Sequence, residues 1–142
     1  MSKGNTFENN LLLLIFNGTA ITNLADDASV SPLTSLFVSL HTADPGEAGN
    51  QTTSECAYTS YARVTVARTG GGWVVTANSV SPAANITFPA ATGGTETATH
   101  WAVGTLVSGA GILLYSGTIS PTVAISNGVT PILTTASAIT ED

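Results

Sequence analysis

His41 and His100 are the only histidines in the chain, and Cys56 is its only cysteine. His41 is followed by Asp44 and Glu47, a spacing compatible with a hard cation or a mixed site. Neither a His-Glu-x-x-His pair nor an EF-hand loop surrounds it. A single cysteine excludes an intrachain disulfide and a cysteine-ligated zinc. No Gly-x-Ser-x-Gly elbow presents a serine, and Cys56 lacks the flanks of papain-like or caspase-like nucleophiles. Of the nine carboxylates, Asp26, Asp27, Asp44, Glu47, Glu141 and Asp142 fall in loop or tail sequence. Acid–base work needs a carboxyl held where its pKa is displaced, and no constellation suggests that. Gly109-Ala110-Gly111 lacks the third glycine of a dinucleotide cradle, and no glycine cluster precedes Lys-Ser/Thr. The expectation is a protein that is not an enzyme, with no cofactor and no metal.

The aromatic residues Trp73, Trp101, Tyr58, Tyr61 and Tyr115 have the chemistry to stack on sugars. A tryptophan within a strand pattern more often anchors a core or an interface, and that reading is preferred. A carbohydrate-binding module stays as a second alternative.

Charge carries the rest. Of 142 residues, only 8% are charged, against roughly 25% in ordinary soluble domains. Net charge is −6, and the cations are Lys3, Arg63 and Arg68. So few cations neutralise few phosphates, which argues against nucleic acid as a partner. Hydropathy is positive and charge sparse, which excludes charge-driven disorder. The apolar run Leu11–Phe16 is far shorter than the roughly 20 residues of a membrane span, and it is short for a signal-peptide core, with only Lys3 supplying positive charge before it. The chain is expected to be made in a cytoplasm and to have no membrane partner. Ser, Thr, Gly and Ala replace the missing charge, giving a surface suited to lying against other proteins, since interface cores are depleted of ions.

These residues must be positioned by a mainly β fold. Thr6 is a plausible N-cap and Glu8 sits in the first turn of a short helix that Gly18 ends. Phe7, Leu11, Leu14 and Ile15 share one face, although Leu12, Leu13 and Phe16 make the segment apolar nearly all round. From residue 35 the period becomes two: Leu36, Val38 and Leu40 alternate with Phe37, Ser39 and His41. Val64 and Val66, then Trp73, Val75 and Ala77, read as a hairpin across Gly70–Gly72. Further strands are expected at Ile86–Phe88, Thr97–Val103, Ile112–Ser116, Thr122–Ile125 and Ile132–Thr135. About eight short strands with frequent turns predict an all-β, jelly-roll-like β-sandwich. The chain reads as one domain over residues 1–142, with residues 1–18 as an N-terminal helical arm.

The stretch LFVSLHTADPGEAG (36–49) resembles the opening of small tailed-bacteriophage virion proteins. YTSYARVTVAR (58–68), ITFPAATGG (86–94), THWAVGT (99–105), SGAGILLYSG (108–117) and NGVTP (127–131) continue the likeness in order. Proteins of this family are labelled either head decoration (cement) proteins or tail-fibre proteins. The resemblance implies a jelly-roll-like sandwich on an HK97-like head and brings no catalytic residues. A fibre subunit needs repeats or a long shaft, and this chain has neither. The main expectation is therefore a decoration protein on the outer capsid surface, stabilising the shell across capsomer seams. Its partners would be the major capsid protein and itself, as a homodimer or homotrimer. The alternative is a tail or tail-fibre component that contacts the host surface. Phe7, Leu11, Leu14, His41, Asp44, Pro45 and Glu47 are the expected capsid or self-interface residues.

Overall fold

A computed structural model of the chain describes residues 5–21 and 33–141. Lys3, Asp26, Asp27 and Asp142, singled out above, lie outside the described residues. Among the described residues, one helix, α1 (Asn5–Asn17), precedes nine strands. These are β1 (Ser35–His41), β2 (Val64–Ala67), β3 (Trp73–Thr76), β4 (Ser79–Pro82), β5 (Ile86–Thr87), β6 (Glu96–Gly104), β7 (Leu113–Ile125), β8 (Ile132–Leu133) and β9 (Ile139–Thr140). The class is the expected all-β sandwich class with one short helix, built from antiparallel pairs. No helix among the described residues is long and apolar enough to cross a membrane.

The chain divides into two compact units. One comprises residues 1–35, 66–85 and 134–142. Here α1 packs on β3 and β4. Its buried stripe is Glu8, Leu12 and Phe16, at four-residue spacing. The face expected from the sequence is displaced by one residue: Phe7 is exposed, and Leu11, Leu14 and Ile15 are half-buried. Phe16 sets the rotation, because its ring meets the fully buried Trp73 edge-on at 4.8 Å.

The expected hairpin across Gly70–Gly72 does not form. β3 pairs instead with β4 through the two-residue turn Ala77-Asn78, with Ala77 at φ 54°. Positive φ in such a turn gives the twist that a tight hairpin needs. β4 then pairs with β9, and Asn78 exchanges two hydrogen bonds of 2.8 Å with Glu141. Gly72 keeps a local role. The Gly72 and Trp73 amides both donate to the Thr69 carbonyl, and a Cβ on Gly72 would strike the Ala67 backbone.

The other unit comprises residues 36–65 and 86–133. A four-stranded sheet runs in the order β2-β1-β6-β7, and β2 carries the chain out of this unit after Thr65. The central strands are the buried ones: Leu36 and Val38–His41 on β1, and Ala98 and Trp101–Gly104 on β6. β1 and β6 are antiparallel, with Leu40 opposite Trp101 and His41 opposite His100. β5 and β8 form a separate antiparallel pair. β7 is one strand where the sequence predicts two with a break at Ser120-Pro121. Pro121 is tolerated because β7 is outermost among the described strands, so a missing amide there breaks no ladder. The register shift between Ala98 and His100 takes up the extra residues.

Candidate functional site

The densest polar chemistry lies in the unit of residues 36–65 and 86–133, and it is structural. Arg63 enters from the start of β2 with its side chain 3% exposed. Its Nε and Nη2 donate to the two carboxylate oxygens of Glu55, each at 2.7 Å. Nη1 donates to the Leu106 carbonyl at 2.9 Å, and Nη2 also to the Gly109 carbonyl at 2.8 Å. Gln51 is fully buried and completes the clamp. Its Nε2 donates to the Leu106 carbonyl, its Oε1 accepts from the Leu106 amide, and its own amide donates to Ala110. Gly104 and Gly111 enclose the Gln51 amide so closely that a Cβ on either would overlap it.

This clamp fixes a loop whose side chains point the other way. Leu106, Val107 and Ile112 are 46%, 58% and 67% exposed. Thr105 closes the loop base, donating its amide to the Ile112 carbonyl and accepting the Ile112 amide at Oγ1. The result is an apolar projection with an ordered backbone, able to dock without a large ordering cost. Glu55 is held further by the Tyr61 hydroxyl at 3.0 Å, which also accepts from the Leu40 amide. Burial, with the Glu55 carboxylate adding to it, pushes the Tyr61 phenol far above its ordinary range, so it stays a donor.

His41 lies on the same buried framework. Nδ1 donates to the Thr53 carbonyl at 2.9 Å, which leaves Nε2 of the neutral ring to accept from Ser39 Oγ at 2.8 Å. Burial lowers the His41 pKa, against smaller raising effects from Thr53 and Glu55. A serine beside a histidine has the form of a nucleophile and its base. Here both residues are fully buried, so the pair faces no substrate. Cys56 is buried as well, and burial followed by the charge of Glu96 pushes its thiol up to about 12. Trp73, Trp101 and Tyr58 are enclosed, leaving no stacking face for a sugar on those rings.

The sequence-derived interface residues are distributed over both units. Phe7, Leu11 and Leu14 lie on α1, in the unit of residues 1–35, 66–85 and 134–142. His41 and Pro45 are buried in the other unit, while Asp44 and Glu47 are exposed there. Asp44 and Glu47 line a surface groove of about 420 Å³ together with Gly46 and Leu113–Ser116 of β7. Asp44 Oδ1 accepts the Gly46 amide at 2.9 Å, which shapes the turn. Among the described residues no group of three or more His, Cys, Asp or Glu could hold a metal ion. Sequence reasoning missed Gln51, Arg63, Leu106, Val107 and Ile112. The available signal was an isolated arginine in a strand pattern of a nearly cation-free chain, and an apolar pair just before Ser108–Gly111.

A family model described as podophage GP4 fiber I protein gp80 matches residues 2–140. No curated protein matches the chain.

Proposed function

Because the chain belongs to the podophage GP4 fiber I protein gp80 family, a family of phage virion proteins, we propose that it is a fibre component of the tail apparatus. In this role it works through protein–protein contact and contributes to engagement of the host surface. The observation that carries this reading is the extent of the match, 2–140, which takes in both compact units. The family description thus applies over nearly the whole length of this chain, which supports the fibre reading. That weakens the inference from missing repeats to a head decoration protein, so the fibre alternative becomes the main reading.

The geometry is compatible with it. An apolar loop clamped by Arg63 and Gln51 offers Leu106, Val107 and Ile112 without exposing polar backbone that must be reordered. Immunogold electron microscopy of intact virions with antibody to the chain tests the location. Label confined to tail fibres is expected, and label spread over the head would restore the decoration reading. Purified chain added before infection should slow adsorption of the phage. Unchanged adsorption at saturating concentration would remove the host-contact part of the proposal.

A further inference from the structure

The loop between β6 and β7 separates its backbone acceptors from its donors. The carbonyls of Leu106, Gly109 and Ala110 turn inward, to Arg63 and Gln51. The amides of Val107, Ser108, Gly109 and Ala110 have no acceptor among the described residues, and all four of these residues are exposed. Gly109 and Gly111 have φ of 80° and 22°, and Ala110 between them is not in the positive-φ region. Alternating the hand of successive residues in this way turns neighbouring amides toward a common point, the backbone form that receives anions. Beside these donors stand the exposed side chains of Leu106, Val107 and Ile112. No Asp, Glu, Lys or Arg occurs anywhere from Thr97 to Thr140.

We propose that this loop binds the C-terminus of another protein, with the free carboxylate held by the amides of Val107–Ala110 and the last, aliphatic side chain against Leu106, Val107 and Ile112. Strand addition is not open to the loop. A strand pairs through donors and acceptors together, and the acceptors here are spent inside. Adjacent bare donors suit a group that gathers several lone pairs in one place, and a carboxylate offers about four acceptor sites on two oxygens. Terminal-carboxylate capture by backbone amides is a recurring mode of peptide recognition. Arg63 and Gln51 fix the arrangement before any partner arrives, so little ordering remains to oppose binding. The net charge of −6 opposes an anion at long range, which requires the rest of the partner's tail to be uncharged. The inference stands apart from the fibre reading, because it concerns one loop and is tested on the purified chain.

Three N-acetylated peptides serve as probes: Thr-Thr-Thr-Val with a free carboxylate, the same peptide with a C-terminal amide, and Thr-Thr-Thr-Gly with a free carboxylate. Amide proton shifts of the isotope-labelled full chain give the readout. The Val acid should move the Val107–Ala110 amides downfield and saturably. Its amide form should bind at least about ten-fold more weakly, the size of lost hydrogen bonds to a charged group. The Gly acid should be several-fold weaker than the Val acid, because the aliphatic contact is missing. Val107→Asp sets a like charge beside the carboxylate and should abolish binding of the Val acid, and because Val107 is exposed the unfolding midpoint should stay. Equal affinity of the acid and amide forms, binding of neither, or shifts confined to another region would overturn the proposal. So would unchanged binding by Val107→Asp. Concentration-dependent shifts of the same amides without peptide would overturn it too, by assigning the loop to a second copy.

Discussion

Arg63 and Arg68 stand five residues apart, yet they do different work in different units. Arg63 is enclosed with a carboxylate partner, and its guanidinium ties Glu55 to two carbonyls of a loop remote in sequence. Arg68 donates instead to the backbone carbonyls of Leu14, Ile15 and Leu33. Nε donates to the Ile15 carbonyl at 2.6 Å and Nη2 to that of Leu14, both in the last turn of α1. That is the negative end of the helix dipole, where unsatisfied carbonyls accumulate and a cation is favoured. Gly18, at φ 67°, turns the chain there so that the Thr19 amide reaches the Leu13 carbonyl. A planar five-donor fork serves both places, and a lysine would serve neither as well. The lesson is that a chain almost without cations places both described arginines where they hold backbone, one as a member of a closed ionic network and one as a helix cap.

Truncating Arg63 should have the larger effect. Arg63→Met leaves the Glu55 carboxylate and two loop carbonyls without their donor, and should cost about 3–5 kcal/mol in urea unfolding. Adding Glu55→Met should recover much of that, because the uncompensated charge goes too. Equal loss in single and double variants would show that Arg63 acts by packing alone. Gly111→Ala drives a methyl into Gln51 and should cost about 1–3 kcal/mol by overpacking, read from the same unfolding curves. Arg68→Met removes a cap that solvent can partly replace, and should cost about 1–2 kcal/mol. A loss as large as that of Arg63→Met would erase the distinction between network and cap.

Two smaller effects report on the ground around the Arg63 network. His41 is held neutral by burial, so its folded pKa lies below the ordinary 6.5. As pH falls below about 6.5 the unfolded chain takes up a proton that the folded chain refuses, and stability declines until the folded ring titrates as well. The thermal midpoint should therefore drop across mildly acidic pH, and His41→Asn should flatten that slope. A slope unchanged in the variant would assign it to other groups. Smallest of all, the Cys56 thiol, pushed up to about 12, should resist alkylation at pH 8 in the native protein and react promptly in denaturant. Fast native alkylation would mean that the region beside Glu96 opens readily.

Much of the scaffold was legible from the residues. The period-two pattern from residue 35, the short strand pattern at Thr97–Val103 and the apolar run after Thr6 located β1, β6 and α1, since period and turn chemistry act locally. What escaped depended on tertiary choices. The helix face turned by one residue because every side of α1 is apolar, so only the meeting of Phe16 with Trp73 could choose. β4 and β9 are short and polar, and Ile139–Thr140 pairs only because Val80 and Ser79 lie opposite. Pro121 reads as a break in any window, but the outermost place of β7 removes the penalty. The Arg63–Glu55–Gln51 clamp joins residues 8 to 55 positions apart, beyond any local pattern. Asp44 and Glu47 stood out through their spacing from His41 and their place in the stretch 36–49, whereas the Leu113–Ser116 part of their groove left no mark in the sequence.

Because the amide of Gln51 fills the space between Gly104 and Gly111, those three positions can mutate only in concert. Val107, further along the same loop, carries no such tie. Descendants of this gene are free to vary what the loop displays while inheriting the footing beneath it unaltered.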